Sequence, residues 1–266
     1  MRGLNGKVAM VVGAGSGIGR AAARRLAEEG AVVAAVDLRD AAAGATVDEI
    51  ERTGGHGLAL RADATSLEEV MRVAERTVES FGGIDVLVNS VARAPRKSMY
   101  DITSAEWRET IDDCLYSYFV TTKAALPRMI SRGGGKIVNI CSVTAHVGAQ
   151  LPAYSAAKGA ILAWSREIAV EFAHHRITVN TVSPGVIETP INAGILSAGA
   201  ARTRALDAIP LGRLGRPEDV AGTIAFLASS DADFISGADI VVDGAMIAHT
   251  SWGTAGAAWR SREGTR

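Results

Sequence analysis

Short apolar runs alternate along this chain with longer stretches whose apolar positions recur every three or four residues. The short runs predict strands at 7–12, 31–37, 56–61, 84–89, 136–141, 176–183 and 239–243. The longer stretches predict helices at 17–29, 41–53, 66–81, 105–131, 154–174 and 218–229. Strands that are apolar throughout, each followed by a helix, argue a parallel sheet covered on both faces. Right-handed crossovers then give one doubly wound α/β domain of about seven strands, of the Rossmann type. Its expected extent is 1–244. Within it, 186–216 breaks the rhythm: it is Gly/Ala-rich, carries Pro190 and Pro210, and suits a lid over a site. Residues 245–266 read as a tail that can reach a neighbouring subunit.

The end of the first predicted strand runs into Gly13-Ala-Gly15-Ser16-Gly17-Ile18-Gly19, which opens the first helix. Glycines there permit a tight turn and let a pyrophosphate approach backbone N–H groups at a helix start. A simple packing turn is the plainer reading, and the position between strand and helix favours the phosphate. Asp37 ends the second strand run. A carboxylate there accepts hydrogen bonds from ribose hydroxyls and repels a 2′-phosphate, which favours NAD over NADP. Arg39 nearby is either a solvated loop cation or a partner for that phosphate. Asp63, after the third strand, either contacts the adenine or caps the next helix with Thr65 or Ser66.

Composition narrows the classes. The chain has 266 residues, 48% of them hydrophobic, and a net charge of −1. That length buries a substantial core. No basic face marks a nucleic-acid partner, and no apolar run is long enough to span a membrane. The first residues lack the apolar centre of a signal peptide, and the two cysteines, Cys114 and Cys141, imply no disulfide framework. A cytoplasmic protein is expected.

Tyr154 and Lys158 stand four residues apart, so one helix face carries both a phenol and an ammonium. A nearby cation favours phenolate, so Lys158 is expected to lower the Tyr154 pKa from its ordinary value of about 10. Tyr154 then serves as a proton donor and acceptor. Ser142 lies twelve positions upstream, at the end of the fifth strand run. A Tyr and a Lys at this spacing also arise in many helices by chance, so the surrounding motifs must decide.

Those motifs resemble the short-chain dehydrogenase/reductase family along almost the whole chain. Gly13–Gly19 is similar to its dinucleotide loop, and Leu87-Val-Asn89 to its fourth strand end. Ser142 and Tyr154-x-x-x-Lys158 match its catalytic trio. Val179-Asn-Thr-Val-Ser-Pro184-Gly185 with Thr189 matches the segment along the nicotinamide, and Leu211–Val220 and Val242-Asp-Gly244 match its C-terminal signature. The resemblance implies that Tyr154 exchanges a proton with a substrate oxygen, that Lys158 tunes Tyr154 and holds the nicotinamide ribose, and that Ser142 orients the same oxygen. It implies that NAD lies against Gly13, Ser16, Gly17, Ile18, Gly19, Asp37, Asp63, Asn89, Tyr154, Lys158, Pro184, Gly185, Ile187 and Thr189. It further implies hydride transfer between nicotinamide and a secondary alcohol or ketone, and a homotetramer or dimer built through the two long helices and the last strand. Departures stand beside the match. Val12 replaces the usual Thr, Asn89-Ser-Val-Ala92 replaces Asn-Asn-Ala-Gly, and Gly244-Ala245 replaces Gly-Gly. Cys114 stands where the family has an Asn that helps hold a proton-relaying water. Either the relay runs through another group, or the enzyme is slow, or the chain is an NAD-binding sensor or scaffold that catalyses nothing.

Other candidates have plainer readings. His146 faces substrate or is a surface loop residue. His174 and His175 suit a helix C-terminus, and no carboxylate or Cys stands with them at metal-site spacing, so no metal is expected. Arg93, Arg96 and Lys97 form a solvated cationic loop or meet an anionic substrate group. Trp164 and Phe172 read as core or subunit contacts. Cys114 is a buried small hydrophobe or a redox sensor, and Cys141 should point away from Ser142. The apolar lid residues Val186, Ile187, Ile191, Ile195, Leu196 and Leu206 argue an apolar or cyclic substrate body.

Overall fold

The structure is a computed structural model that describes residues 1–197 and 199–248. Seven parallel strands form one sheet: β1 (Val8–Val12), β2 (Val32–Asp37), β3 (His56–Arg61), β4 (Val86–Asn89), β5 (Gly135–Ile140), β6 (Ile177–Pro184) and β7 (Asp239–Val242), in the order β3-β2-β1-β4-β5-β6-β7. The doubly wound α/β architecture expected from the alternating pattern is the one observed. Strands β1, β2 and β4 are buried throughout apart from Val32, because helices cover both sheet faces. Alternation divides their side chains between two cores. Ala9, Val11, Val33 and Ala35 face one layer, and Met10, Val12, Ala34 and Val36 face the other.

The first layer holds α1 (Gly17–Glu28), α2 (Asp40–Arg52) and α9 (Pro217–Ala228). The second holds α3 (Leu67–Phe81), α5 (Ser117–Ser131) and α6 (Pro152–Glu171). Ser66 caps α3, its hydroxyl accepting from Glu69 N–H, and Gly82 ends it in the left-handed conformation. Between β4 and α5 the expected single helix is divided. Helix α4 (Ser104–Ile111) passes into a π-turn over Asp112–Tyr116 before α5 begins. Such a turn inserts one extra residue and shifts the phase of the helix by about 100°, and no proline or glycine in Asp112–Tyr116 marks it in the sequence. The 186–216 region contains two short helices, α7 (Ala193–Leu196) and α8 (Gly199–Asp207). Residues 245–248 turn back beside β7, and 249–266 of the expected tail lie outside the described residues. Among the described residues no helix is long and apolar enough to cross a membrane.

A buried polar chain ties the second layer to the sheet. Thr121 on α5 donates to Asn89 Oδ1 at 2.7 Å, Asn89 Nδ2 donates to Asn139 Oδ1 at 2.8 Å, and Asn139 Nδ2 donates to Ser165 on α6 at 2.9 Å. Each buried amide is thereby satisfied, and α5 and α6 are held to the ends of β4 and β5.

Candidate active site

The strand order reverses between β1 and β4, and a cleft of about 630 Å³ opens at the carboxyl ends of the strands. Crevices at such switch points take ligands in open α/β sheets. Gly13, Ser16, Gly17, Ile18, Asp37, Asp63, Ser142, Tyr154, Lys158, Pro184, Gly185, Ile187 and Thr189 all line it. Gly19 and Asn89 do not. Gly19 lets α1 pack on the turn, since a Cβ there would lie 2.1 Å from the Gly13 carbonyl oxygen. Asn89 is spent in the buried amide chain behind the cleft.

The glycine turn and Asp37 are fitted to each other. Gly15 N–H donates to Asp37 Oδ2 at 2.8 Å, and Arg39 N–H donates to Oδ1 at 3.0 Å. Arg39 Nε lies 3.4 Å from Oδ1, a loose pairing on a largely exposed side chain. Gly13 and Gly17 have φ of +83° and +52°, where a Cβ is strained, and a Cβ on Gly17 would press on Thr189. Gly13 and Ala14 N–H bond the Val36 carbonyl, so the turn is held to β2 and leads into the N-terminus of α1; that helix start, next to a carboxylate, suits an adenine dinucleotide. Asp63 accepts from both Thr65 N–H and the Thr65 hydroxyl, while Ser66 is the helix cap.

At the other end, Ser142 follows β5 and Tyr154 and Lys158 project from α6. The Ser142 hydroxyl accepts from Thr144 N–H at 3.1 Å. Burial raises the Tyr154 pKa, the Cys114 sulfur adds to this, and the Ser142 hydroxyl bonded to the phenol pulls the other way. The expected lowering by Lys158 is therefore not what the isolated chain shows. Burial is the main cause, and the lysine points elsewhere. Lys158 is fully buried, its ammonium donates to the Ile140 carbonyl at 2.7 Å and to the Tyr118 hydroxyl at 3.3 Å, and it lies 5.5 Å from the Tyr154 ring centre. Burial in turn lowers the Lys158 pKa.

The other candidates fall into place around this pair. Cys114 lies in the π-turn, fully buried; its sulfur accepts from Arg93 N–H at 3.2 Å and its thiol donates to Arg93 O at 3.3 Å. Burial raises its pKa, the opposite of what an oxidation-sensing thiol needs. Cys141 borders the cleft beside Ser142, and its thiol donates to the Lys158 carbonyl at 3.2 Å. His146 turns from the cleft to Asp239, with Nε2 2.8 Å from its carboxylate. The His174 and His175 rings lie 3.9 Å apart, tilted by 42°, near the end of α6. Phe172 packs against the second core, and Trp164 is partly buried on α6. Among the described residues no His, Cys, Asp and Glu group is placed to hold a metal.

Arg93 pairs with Glu109 at 2.6 Å and Lys97 with Glu106 at 2.6 Å, whereas Arg96 lines the cleft and donates to Asn192 Oδ1 at 2.8 Å. Of the lid residues, Val186, Ile187 and Ile191 line the cleft and Leu206 does not. Sequence reasoning missed Val147, Leu151 and Met246, which add apolar wall, and Tyr118, the partner of Lys158. Tyr118 alone carried a signal: a hydroxyl-bearing side chain one helical turn after Cys114, on the same face.

Comparison with known proteins agrees with this geometry. The family model described as enoyl-(acyl carrier protein) reductase matches residues 13–246. Cis-4-hydroxycyclohexanecarboxylate dehydrogenase of Sinomonas cyclohexanicum is 43% identical, over 91% of this chain and 97% of that protein. Cyclohexanol dehydrogenase of Acinetobacter sp. (strain SE19) is 37% identical, over 91% of this chain and 95% of that protein. Among solved structures, a 7 alpha-hydroxysteroid dehydrogenase complexed with NADH and 7-oxo glycochenodeoxycholic acid matches with a TM-score of 0.87 at 33% identity. The match covers 91% of this chain and 94% of that one.

Proposed function

This chain belongs to the short-chain dehydrogenase/reductase family, and from that premise we propose that it is an NAD-dependent dehydrogenase of ring-borne secondary alcohols. It is an oxidoreductase that moves hydride between a nicotinamide cofactor and a secondary alcohol or its ketone. The observation that carries the reading is the convergence of Ser142, Tyr154 and Lys158 on one wall of the cleft whose other end is the Gly13–Gly17 turn.

The residues present fit the cofactor. Gly13, Ser16, Gly17 and Ile18 would face the pyrophosphate, and Asp37 the adenosine ribose. Asp63 lies toward the adenine side, and Pro184, Gly185, Ile187 and Thr189 would border the nicotinamide. NAD is favoured because the Asp37 carboxylate, held by Gly15 N–H, repels a 2′-phosphate, and Arg39 stays largely exposed beside it. When bound, the cofactor accepts or supplies the hydride. The chain does the rest. Tyr154 takes the hydroxyl proton during oxidation and returns it during reduction. Ser142 holds the substrate oxygen against Tyr154. Lys158 fixes the ribose side and brings a positive charge beside the phenol. The Val186–Asn192 segment borders the cleft and would screen the reacting atoms from water.

Ala94, Val143, Val147, Leu151, Ile191 and Met246 make an apolar wall for a ring. Arg96 has no carboxylate partner among the described residues, and its charge is felt at Tyr154. An acidic group on the ring, away from the carbinol, therefore fits this end of the cleft. The cyclic substrates named for the two relatives support the same class. A homotetramer is also proposed. Exposed Phe119 on α5, Val170 on α6 and Val241 on β7 support contacts between copies. Oxidation of cyclohexanol and of hydroxycyclohexanecarboxylates with NAD and with NADP tests the reading.

A further inference from the structure

The surroundings of the Lys158 ammonium are made almost entirely by protein. Among the described residues it has no carboxylate partner; its hydrogen bonds go to the Ile140 carbonyl and the Tyr118 hydroxyl. Three other groups face it: Cys114 from the π-turn, Cys141 after β5, and Tyr154 on α6. The thiols are engaged with backbone, Cys114 at Arg93 and Cys141 at the Lys158 carbonyl. Tyr118 is therefore the one side-chain oxygen that accepts directly from the ammonium.

The Tyr118 hydroxyl is itself fixed by backbone. It lies 3.1 Å from the Val91 carbonyl and 3.1 Å from the Ile140 carbonyl, with its ring fully buried. A phenol has one proton to give. Whichever of the two carbonyls takes that proton, a lone pair of the hydroxyl is left to face the ammonium. The ammonium also sits 4.9 Å from the Tyr118 ring centre, within reach of the ring's negative face. Burial pushes the Tyr118 pKa up, so the phenol stays neutral and acts only as an acceptor toward the lysine.

We propose that Tyr118 is a positioning residue for Lys158, its hydroxyl and ring fixing where the ammonium points. The proposal rests on Tyr154 and Lys158 as the acid–base pair. It also accounts for Cys114. The thiol in the π-turn ties Arg93 to α5, and the support for the lysine comes from Tyr118, one turn later.

The test is Tyr118→Phe, which keeps the ring and removes only the hydroxyl. A hydrogen bond to a charged group is worth enough to move a pKa by about one to two units. Without it Lys158 loses its proton at lower pH. The alkaline limit of alcohol oxidation should then fall by about one to two pH units, with kcat reduced roughly tenfold and KM nearly unchanged. The pH at which NADH affinity weakens, read by fluorescence titration, should fall in parallel. Tyr118→Leu, which also lacks the hydroxyl, should show the same displacement with a lower melting temperature. Melting temperatures that drop while both pH limits stay in place would overturn the proposal, and so would failure of both variants to fold, which would make Tyr118 a packing residue. An unmutated protein that binds NADH but oxidises no alcohol would instead overturn the enzymatic reading beneath it.

Discussion

Gly15 N–H donates to Asp37 Oδ2 at 2.8 Å, and a Cβ on Gly15 would lie 2.6 Å from that same oxygen. The two residues form one device: the turn can hold the carboxylate only because position 15 has no side chain. Asp37→Ala should weaken NAD binding roughly tenfold to a hundredfold, the size of a hydrogen bond to a charged group, and shift preference toward NADP. Gly15→Ala should weaken both cofactors. Dissociation constants for NADH and NADPH by fluorescence check both. Equal use of NAD and NADP by the unmutated protein would mean that Arg39 outweighs Asp37.

Burial holds Tyr154 protonated, so the direction of the pH dependence is fixed. Oxidation needs the phenolate and should accelerate as pH rises through neutral into the alkaline range. Reduction needs the phenol and should stay level, then decline. Tyr154→Phe should lower kcat about 10²–10⁴-fold while leaving NADH binding nearly intact. Lys158→Met should lower both. Initial rates across pH in each direction, beside NADH titrations, separate the two roles.

Arg96 offers a discrimination test for substrate. Arg96→Ala should reduce kcat/KM for a hydroxycyclohexanecarboxylate by roughly tenfold to a hundredfold and leave cyclohexanol within a few-fold. An equal loss on both would assign Arg96 to holding Asn192 and the lid rather than to the substrate.

Asp85 predicts an acid-sensitive contribution to stability far from the cleft. Burial would raise its carboxyl, but bonds from Arg132 and from Val8 N–H outweigh that and lower it. A lowered folded-state pKa stabilises above the unfolded value and loses that stabilisation as pH falls below it. Asp85→Asn should cost about 1–3 kcal/mol at neutral pH, and the deficit should shrink below about pH 4. Urea unfolding at several pH values measures it.

The sheet was legible because each strand is an apolar run bounded by polar or turn residues, and both faces of the central strands are buried. His56–Arg61 agrees with its expected span to the residue, while β4 covers Val86–Asn89, two residues fewer at its start than its run. The π-turn was not legible, since Asp112–Tyr116 contains no proline or glycine to mark a break in the helix. The members of the catalytic set were legible from motif, but their electrostatics were not. Spacing puts Tyr154 and Lys158 on one helix face; only the fold shows the ammonium aimed at Ile140 and Tyr118. Met246 escaped because residues after β7 read as tail, whereas bonds from Ala245 and Ile247 N–H to Asp243 turn them back toward the cleft.

The central claim is that this cleft oxidises ring-borne secondary alcohols with NAD through Tyr154. Its most direct measurement is the formation of reduced nicotinamide from NAD with cyclohexanol and hydroxycyclohexanecarboxylates, run beside Tyr154→Phe. The account predicts steady turnover by the unmutated protein, faster at alkaline pH, and loss of about 10²–10⁴-fold in the variant. NADH binding with no turnover of any alcohol or ketone, unrescued by Cys114→Asn, would contradict it.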